Sequence, residues 1–205
     1  NLILGEAGDD EIRTAGGNDV VWADEGNDLI IGSSFGETFY GGEGQDTIYG
    51  GGGNDWARYN DATSGVDVSL KDGTGTRGEA LNDLLVDIEF VWGSEFADTL
   101  EGDDGVNQIR GGAGDDTIIG LKANDILQGY EGADTFVFHI DDGIDRINEF
   151  EIGADTIRIT GISGFGDLTI STFQGDAAVA YDQGDVVILT GIAAAEVQAS
   201  WFEFG

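Results

Sequence analysis

The chain has 205 residues, 41 acids against 8 bases and a net charge of −33, which excludes nucleic acid and anionic membranes as direct partners, since both are polyanions. It has no cysteine, so disulfides and thiol chemistry are excluded, and no apolar run approaches the length of a transmembrane helix. Such acidity often means disorder, but 40% of the residues are hydrophobic and 10% aromatic, enough for a core, and 36 glycines without a proline suit tight, regular turns.

From the N-terminus a nine-residue unit recurs, G-G-x-G-x-D-x-U-x, with U apolar. Clean copies are Gly41–Tyr49, Gly50–Arg58 and Gly111–Ile119. The first block, 1–58, has units starting at Gly5, Thr14, Ala23, Gly32, Gly41 and Gly50. Their sixth positions are Asp10, Asp19, Asp28, Glu37, Asp46 and Asp55, and their eighth are Ile12, Val21, Ile30, Phe39, Ile48 and Ala57. Asn1 and Ile3 already hold positions six and eight of an earlier unit, so the chain is expected to be a fragment of a longer protein. Residues 59–92 break the period as an insert. There Val66–Leu70 and Ile88–Trp92 alternate like strands, joined by a polar Gly-rich loop around Gly73–Gly78. The second block, 93–137, restarts at Gly93, Gly102, Gly111, Gly120 and Gly129, with Asp98, Asn107, Asp116, Asp125 and Asp134 at position six. Residues 138–205 differ. Ile147, Phe150, Ile157 and Ile159, then Leu168, Ile170, Val186–Leu189, Trp201, Phe202 and Phe204, read as further strands capping the stack.

In a strand, alternate side chains share a face, so position eight points inward and positions seven and nine outward. The first six residues form a turn in which glycine permits conformations closed to other residues. Two units then make one coil of eighteen residues, and coils stack at about 4.8 Å. Units two apart lie above one another. The carboxylates fall into columns: Asp10, Asp28, Asp46 and, opposite, Asp19, Glu37, Asp55; then Asp98, Asp116, Asp134 and, opposite, Asn107, Asp125. Carboxylates so close repel unless a hard cation lies between them, and turn carbonyls supply further oxygens. Calcium accepts six to eight oxygens in flexible geometry, whereas magnesium demands a tighter octahedron. The lack of Cys and the single His leave little for zinc or copper.

The candidate calcium ligands are therefore the position-six residues together with the turn residues Gly8, Gly17, Gly26, Gly41, Gly42, Glu43, Gly44, Gly50, Gly51, Gly52, Gly53, Gly102, Gly105, Gly111, Gly112, Ala113, Gly114, Gly129, Glu131 and Gly132. Pairing units two apart gives about seven ions. With a dissociation constant near 10⁻⁴ M, each site would add about 1.4 kcal/mol at about 1 mM calcium, roughly 10 kcal/mol in all. That equals the stability of an ordinary domain, so the chain is expected to fold outside a cell and not at cytosolic calcium.

These repeats closely resemble RTX proteins, whose nonapeptide forms a calcium-binding parallel β-helix. Three further segments are similar to parts of the same family: Tyr59 with Gly65–Leu70, Asp87-Ile88-Glu89 and Gly93-Ser94 in the insert; Asp134–Phe138 with Ile147, Phe150, Gly153 and Asp155; and the ending Trp201–Phe204. The resemblance implies an all-β fold, a right-handed parallel β-roll in two repeat blocks with a C-terminal β cap. It also implies calcium-triggered folding after export, the type I secretion machinery as partner, and a secreted or cell-surface location. Phe35, Phe96 and Ala123 replace the position-four glycine, Thr14 and Ala23 the first, and Glu37 and Asn107 the aspartate. Sites built on these units are expected to be weaker, distorted or absent.

No catalytic role is expected. Gly32–Gly36 matches G-x-S-x-G, but it lies in repeat register and reads as a degenerate turn. His139 lacks the surroundings of a catalytic group. Trp22, Trp56, Trp92 and Trp201 read as packing residues, with a sugar-binding platform as the sharper alternative. Asp141, Asp142, Asp145 and Asp155 are a further candidate ion site near the cap. The expected role is a calcium-binding module that supports secretion and folding of a larger protein. An adhesin or surface-layer segment, and an accessory substrate-binding module of an extracellular enzyme, are the alternatives. A cell-surface or glycan ligand stays unidentified.

Overall fold

Each repeat ends in a short strand, three residues in most units, whose position-eight residue is buried, and this pattern sets the architecture. The computed structural model describes residues 1–205 and contains two 11-stranded sheets, no α-helix and four single turns of 3-10 helix. Sheet one runs, in spatial order, Leu2–Leu4, Val20–Trp22, Thr38–Tyr40, Trp56–Arg58, Phe90–Trp92, Gln108–Ala113, Ile126–Glu131, Ile144–Asn148, Val186–Leu189, Asp176–Ala180 and Thr169–Phe173. Sheet two runs Glu11–Arg13, Leu29–Ile31, Thr47–Tyr49, Leu84–Val86, Thr74–Arg77, Asp67–Ser69, Thr99–Glu101, Thr117–Ile119, Thr135–Phe138, Thr156–Ile159 and Phe202–Phe204. Within each repeat block, neighbouring strands are parallel and in register: Val21 faces Phe39 and Leu100 faces Ile118. The chain thus alternates between sheets at every unit, as a β-roll does, and the two sheets face each other across one apolar core.

The position-eight side chains form that core. Val21, Ile30, Phe39, Leu100, Ile109, Ile118, Leu127 and Phe136 are completely buried. No helix is long and apolar enough to cross a membrane.

Two regions depart from the sequence reading. The segment expected as a loop around Gly73–Gly78 contains the strand Thr74–Arg77, antiparallel to both Asp67–Ser69 and Leu84–Val86. The insert must fill sheet two between Thr47–Tyr49 and Thr99–Glu101, and a chain that doubles back does so without a second coil. Beyond Phe138, the strands Ile144–Asn148, Thr156–Ile159, Val186–Leu189 and Phe202–Phe204 continue the parallel stacks. Only then does the direction reverse, in the antiparallel strands Asp176–Ala180 and Thr169–Phe173. Phe150 packs on Trp201, and Phe165 on Phe202, over the last coils.

Candidate metal sites

The turns between strands place the position-six side chains in two buried columns. Asp19, Asp28, Glu37, Asp46, Asp55, Asp98, Asn107, Asp116, Asp125 and Asp134 are each at most 3% exposed. Each column is tied by one repeated hydrogen bond. The N–H of Asp10 donates to Asp28 Oδ1 at 2.8 Å, that of Asp28 to Asp46 at 2.9 Å, and that of Asp116 to Asp134 at 3.0 Å. In the other column Glu37 donates to Asp55, and Asn107 to Asp125. One carboxylate oxygen is thereby used to join coils.

The second oxygen divides the turns into two kinds. In Asp19, Asp28, Asp46, Asp55, Asp116, Asp125, Asp134 and Asp145, Oδ2 is buried and has no donor within the protein. Most of these turns are wound through the left-handed region at positions two and four: Gly42 and Gly44 have φ of 92° and 150°, Gly112 and Gly114 of 130° and 114°. Leu121, Ala123 and Tyr130 accept the same conformation without being glycine. Position one is glycine for a different reason. A Cβ at Gly41, Gly111, Gly120 or Gly129 would collide with Oδ2 of its own unit's aspartate.

The other kind of turn is closed by side chains. Ser33 donates its N–H and Oγ to Glu37, and Ser94 does the same to Asp98. Asn107 accepts the Asp103 N–H and donates its amide to Asp103 and to the Glu89 carbonyl. In the insert, the buried Tyr59 hydroxyl donates to Asp83 Oδ2 at 2.9 Å. The non-standard residues Phe35 and Phe96 fall in closed turns, whereas Ala123 keeps an open one.

Four acids extend the columns beyond what the repeat period revealed. Asp83 accepts the N–H of Asp46, and Glu89 that of Asp55. Asp145 accepts from Asp125 and Asp155 from Asp134. Asp185 lies outside the column, two residues out of register because Asp145 pairs with Val187, and accepts from the Asp141 and Gly143 N–H groups. Asp145 ends a hidden open turn, Ile140–Asp145, with Asp141 at φ 71° and Gly143 at 110°. A sequence signal existed: each of these four acids stands two residues before an inward apolar residue, as in Asp145-Arg146-Ile147. Of the cap acids singled out from sequence, Asp155 has both oxygens satisfied by Asp134 and Glu151. Asp142 instead accepts the N–H of His139, whose Nδ1 lies 3.5 Å from it.

The electrostatics follow from burial. Loss of solvent, reinforced by neighbouring carboxylates, pushes Asp116 and Asp125 up to about 8 and Asp46, Asp55 and Asp145 up to about 7. Asp98 is also raised by burial, opposed by the Val66 and Ser94 donors and by Arg77. The cost of burying an ionised carboxylate falls when its oxygens are bound to donors or a cation. Nowhere do three His, Cys, Asp or Glu side chains converge, so a cation here would take few side-chain ligands and complete its shell from turn carbonyls and water. All-oxygen ligation with few side chains suits calcium and not zinc or copper. The residues therefore fit calcium, at the open turns.

Comparison with known proteins gives the same repeat. The family model of the RTX calcium-binding nonapeptide repeat matches four times, at residues 1–30, 31–58, 92–127 and 111–147. No curated protein matches the chain. Among solved structures, the extracellular lipase LipA from Serratia marcescens is similar at 19% identity and a TM-score of 0.39; the likeness covers 100% of this chain and 40% of the lipase chain.

Proposed function

Since the chain belongs to the RTX calcium-binding nonapeptide repeat family, we propose that it is a calcium-dependent folding module of a larger exported protein. Calcium would be held at the open turns, where Asp28, Asp46, Asp55, Asp116, Asp125, Asp134 and Asp145 supply one carboxylate oxygen each and the Gly-rich turns supply carbonyls. Asp19 joins them beside Asn1. Glu37, Asp98 and Asn107 are left to the donors of their own turns. The observation that carries this reading is the set of buried Oδ2 atoms without a donor. Leaving one such atom unpaired costs about 1–3 kcal/mol, more when it is charged. A bound cation converts that cost into stability by mass action.

At cytosolic calcium the carboxylate columns oppose folding, which suits export of an unfolded chain by a type I system; in the calcium-rich medium outside, the roll closes. The module itself performs no chemistry on this reading, and an attached domain would supply any activity. Circular dichroism during a calcium titration tests it. β-structure should appear cooperatively with calcium and poorly with magnesium. A complete β spectrum in excess chelator at pH 8 would overturn it.

A further inference from the structure

Sheet one ends in an edge that lacks the usual protection. It runs three strands past Ile144–Asn148, and its last strand, Thr169–Phe173, has a neighbour on one side only. Natural edges are blunted by charge, proline, a bulge or shortness. Here five residues pair with Asp176–Ala180 without a break in register. Residues 168–175 contain no charge and no proline, in a chain where 24% of residues are charged. The other edges differ. Glu11–Arg13 and Phe202–Phe204 carry charges, and Leu2–Leu4 is three residues long and parallel to its neighbour.

The hairpin fixes which backbone groups are free. Gln174 and Gly175 have φ of 54° and 105°, the winding of a two-residue turn between antiparallel strands. Ala177 lies opposite Thr172 but sends its N–H the other way, to the Ile192 carbonyl at 2.6 Å. Antiparallel residues alternate between bonded and non-bonded pairs. Thr172 and Ile170 therefore aim their N–H and C=O groups outward, away from Asp176–Ala180. The side chains of Thr169, Ser171, Thr172 and Phe173 are exposed as well, Phe173 by 45%.

We propose that a second copy of this chain pairs here, antiparallel, about a two-fold axis at Ser171. Ile170 then lies opposite Thr172 of the second copy, and Thr172 opposite Ile170. Each pair exchanges two N–H···O bonds, four in all. Thr169 meets Phe173 of the second copy, a favoured pairing of a β-branched residue with an aromatic one. The strand is thus its own complement in length, neutrality and outward bonds, as a two-fold interface requires. A cationic peptide finds no acid along the strand to select it.

The net charge of −33 does not forbid this pairing, because the two rolls meet end to end. Asp145 stands on the strand Ile144–Asn148, three places in from the edge. The two Asp145 rungs are then roughly 34 Å apart at the usual inter-strand spacing, against a Debye length of about 8 Å at physiological salt. Five residues from each copy make a small interface, so the dimer belongs to the weak, reversible class.

Sedimentation velocity of the calcium-saturated chain tests this. A monomer–dimer equilibrium should appear below about 0.5 mM protein. Thr172→Pro removes an outward N–H and leaves the hairpin bonds, since an edge strand tolerates proline on its solvent side. It should weaken association at least about tenfold, with an unchanged circular dichroism spectrum. The chain has no cysteine, so a single introduced thiol reports the register. Ser171→Cys would face its own copy across the axis, at the Cα separation of about 4.5–5.5 Å that a disulfide spans, and should cross-link on mild oxidation. Thr169→Cys would lie about 14 Å from its own copy and should not. If the proline variant loses β-structure, the two thiol variants still decide. Four results each overturn the proposal: a chain monomeric throughout, species larger than a dimer, a folded Thr172→Pro that associates like the parent, or Thr169→Cys cross-linking as readily as Ser171→Cys.

Discussion

Replacing Asp116 by Asn separates the two duties of a position-six carboxylate. In the folded chain its Oδ1 accepts the Asp98 N–H at 2.8 Å, while Oδ2 has no donor. Asparagine keeps the first acceptor and removes the charge. Burial, with Asp98 and Asp134 nearby, pushes the Asp116 carboxyl from 3.8 to about 8. Without calcium at pH 7, folding must therefore protonate a group that is ionised in the unfolded chain. At about 1.4 kcal/mol per pH unit, that costs roughly 4 kcal/mol. Asp116→Asn removes the cost, so the calcium-free fold should gain up to about 4 kcal/mol. In calcium the sign reverses. The variant lacks an anionic oxygen at its site, and each site lost forfeits about 1.4 kcal/mol at ten times its dissociation constant. Urea unfolding at pH 7 over a series of buffered calcium concentrations measures both effects. The variant should start more stable at the lowest calcium and gain less as calcium rises, so that the two curves cross. Parallel curves, with the variant shifted equally at every calcium concentration, would refute the assignment of Asp116 as a ligand.

Acid should partly replace calcium. Asp46, Asp55 and Asp145 titrate near 7 and Asp116 and Asp125 near 8 in the folded chain, all raised above their unfolded values. Their contribution to the calcium-free fold is therefore complete below about pH 4 and lost as pH rises through about 6 to 8, so a chelated sample taken from pH 8 to 5 should recover β circular dichroism. Tyr59→Phe strips the only donor from Asp83 Oδ2 and should cost about 1–3 kcal/mol in calcium and chelator alike; a cost that vanishes with added calcium would contradict a closed, metal-free joint. Deleting residues 138–205 removes the Asp145 turn and the strand Thr156–Ile159 that covers Thr135–Val137, so the truncated chain should need more calcium to fold or aggregate, as titration with light scattering would show.

The period alone carried the sequence reading a long way. An acid every nine residues and an apolar residue two places later suffice to define the columns, the inward stripe and the eighteen-residue coil. It failed where the spacing changed. Asp83 stands 37 residues after Asp46, and Asp145 stands 20 after Asp125, yet each continues its column through the same N–H to carboxylate bond. The bond and the inward apolar residue define the rung; the length of chain between rungs is free to vary, and a search for fixed spacing passes over every rung built on an insertion.

The finer division among turns follows from chemistry at position two, not from how closely a unit matches the consensus. Ala123 departs from the glycine pattern as plainly as Phe96, yet its turn keeps the left-handed winding and leaves Asp125 Oδ2 without a donor. Such winding at a residue other than glycine costs about 1–3 kcal/mol, which persists only where something offsets it. Where serine stands at position two, as in Ser33 and Ser94, a hydroxyl reaches the position-six carboxylate and the turn has no need of the strained conformation. Asp103, with an acceptor side chain and a donor N–H, closes onto Asn107 in the same way. The closed turns and Tyr59 cluster between Ser33 and Asn107, around the insert, and the open turns lie mainly on either side. Two open turns, those of Asp46 and Asp55, stand among the closed ones, so the middle of the roll combines joints held by protein donors with carboxylates that lack one, while the flanks carry open turns alone. On the proposed reading, calcium dependence is therefore greatest in the flanking coils and diluted, not absent, around the insert.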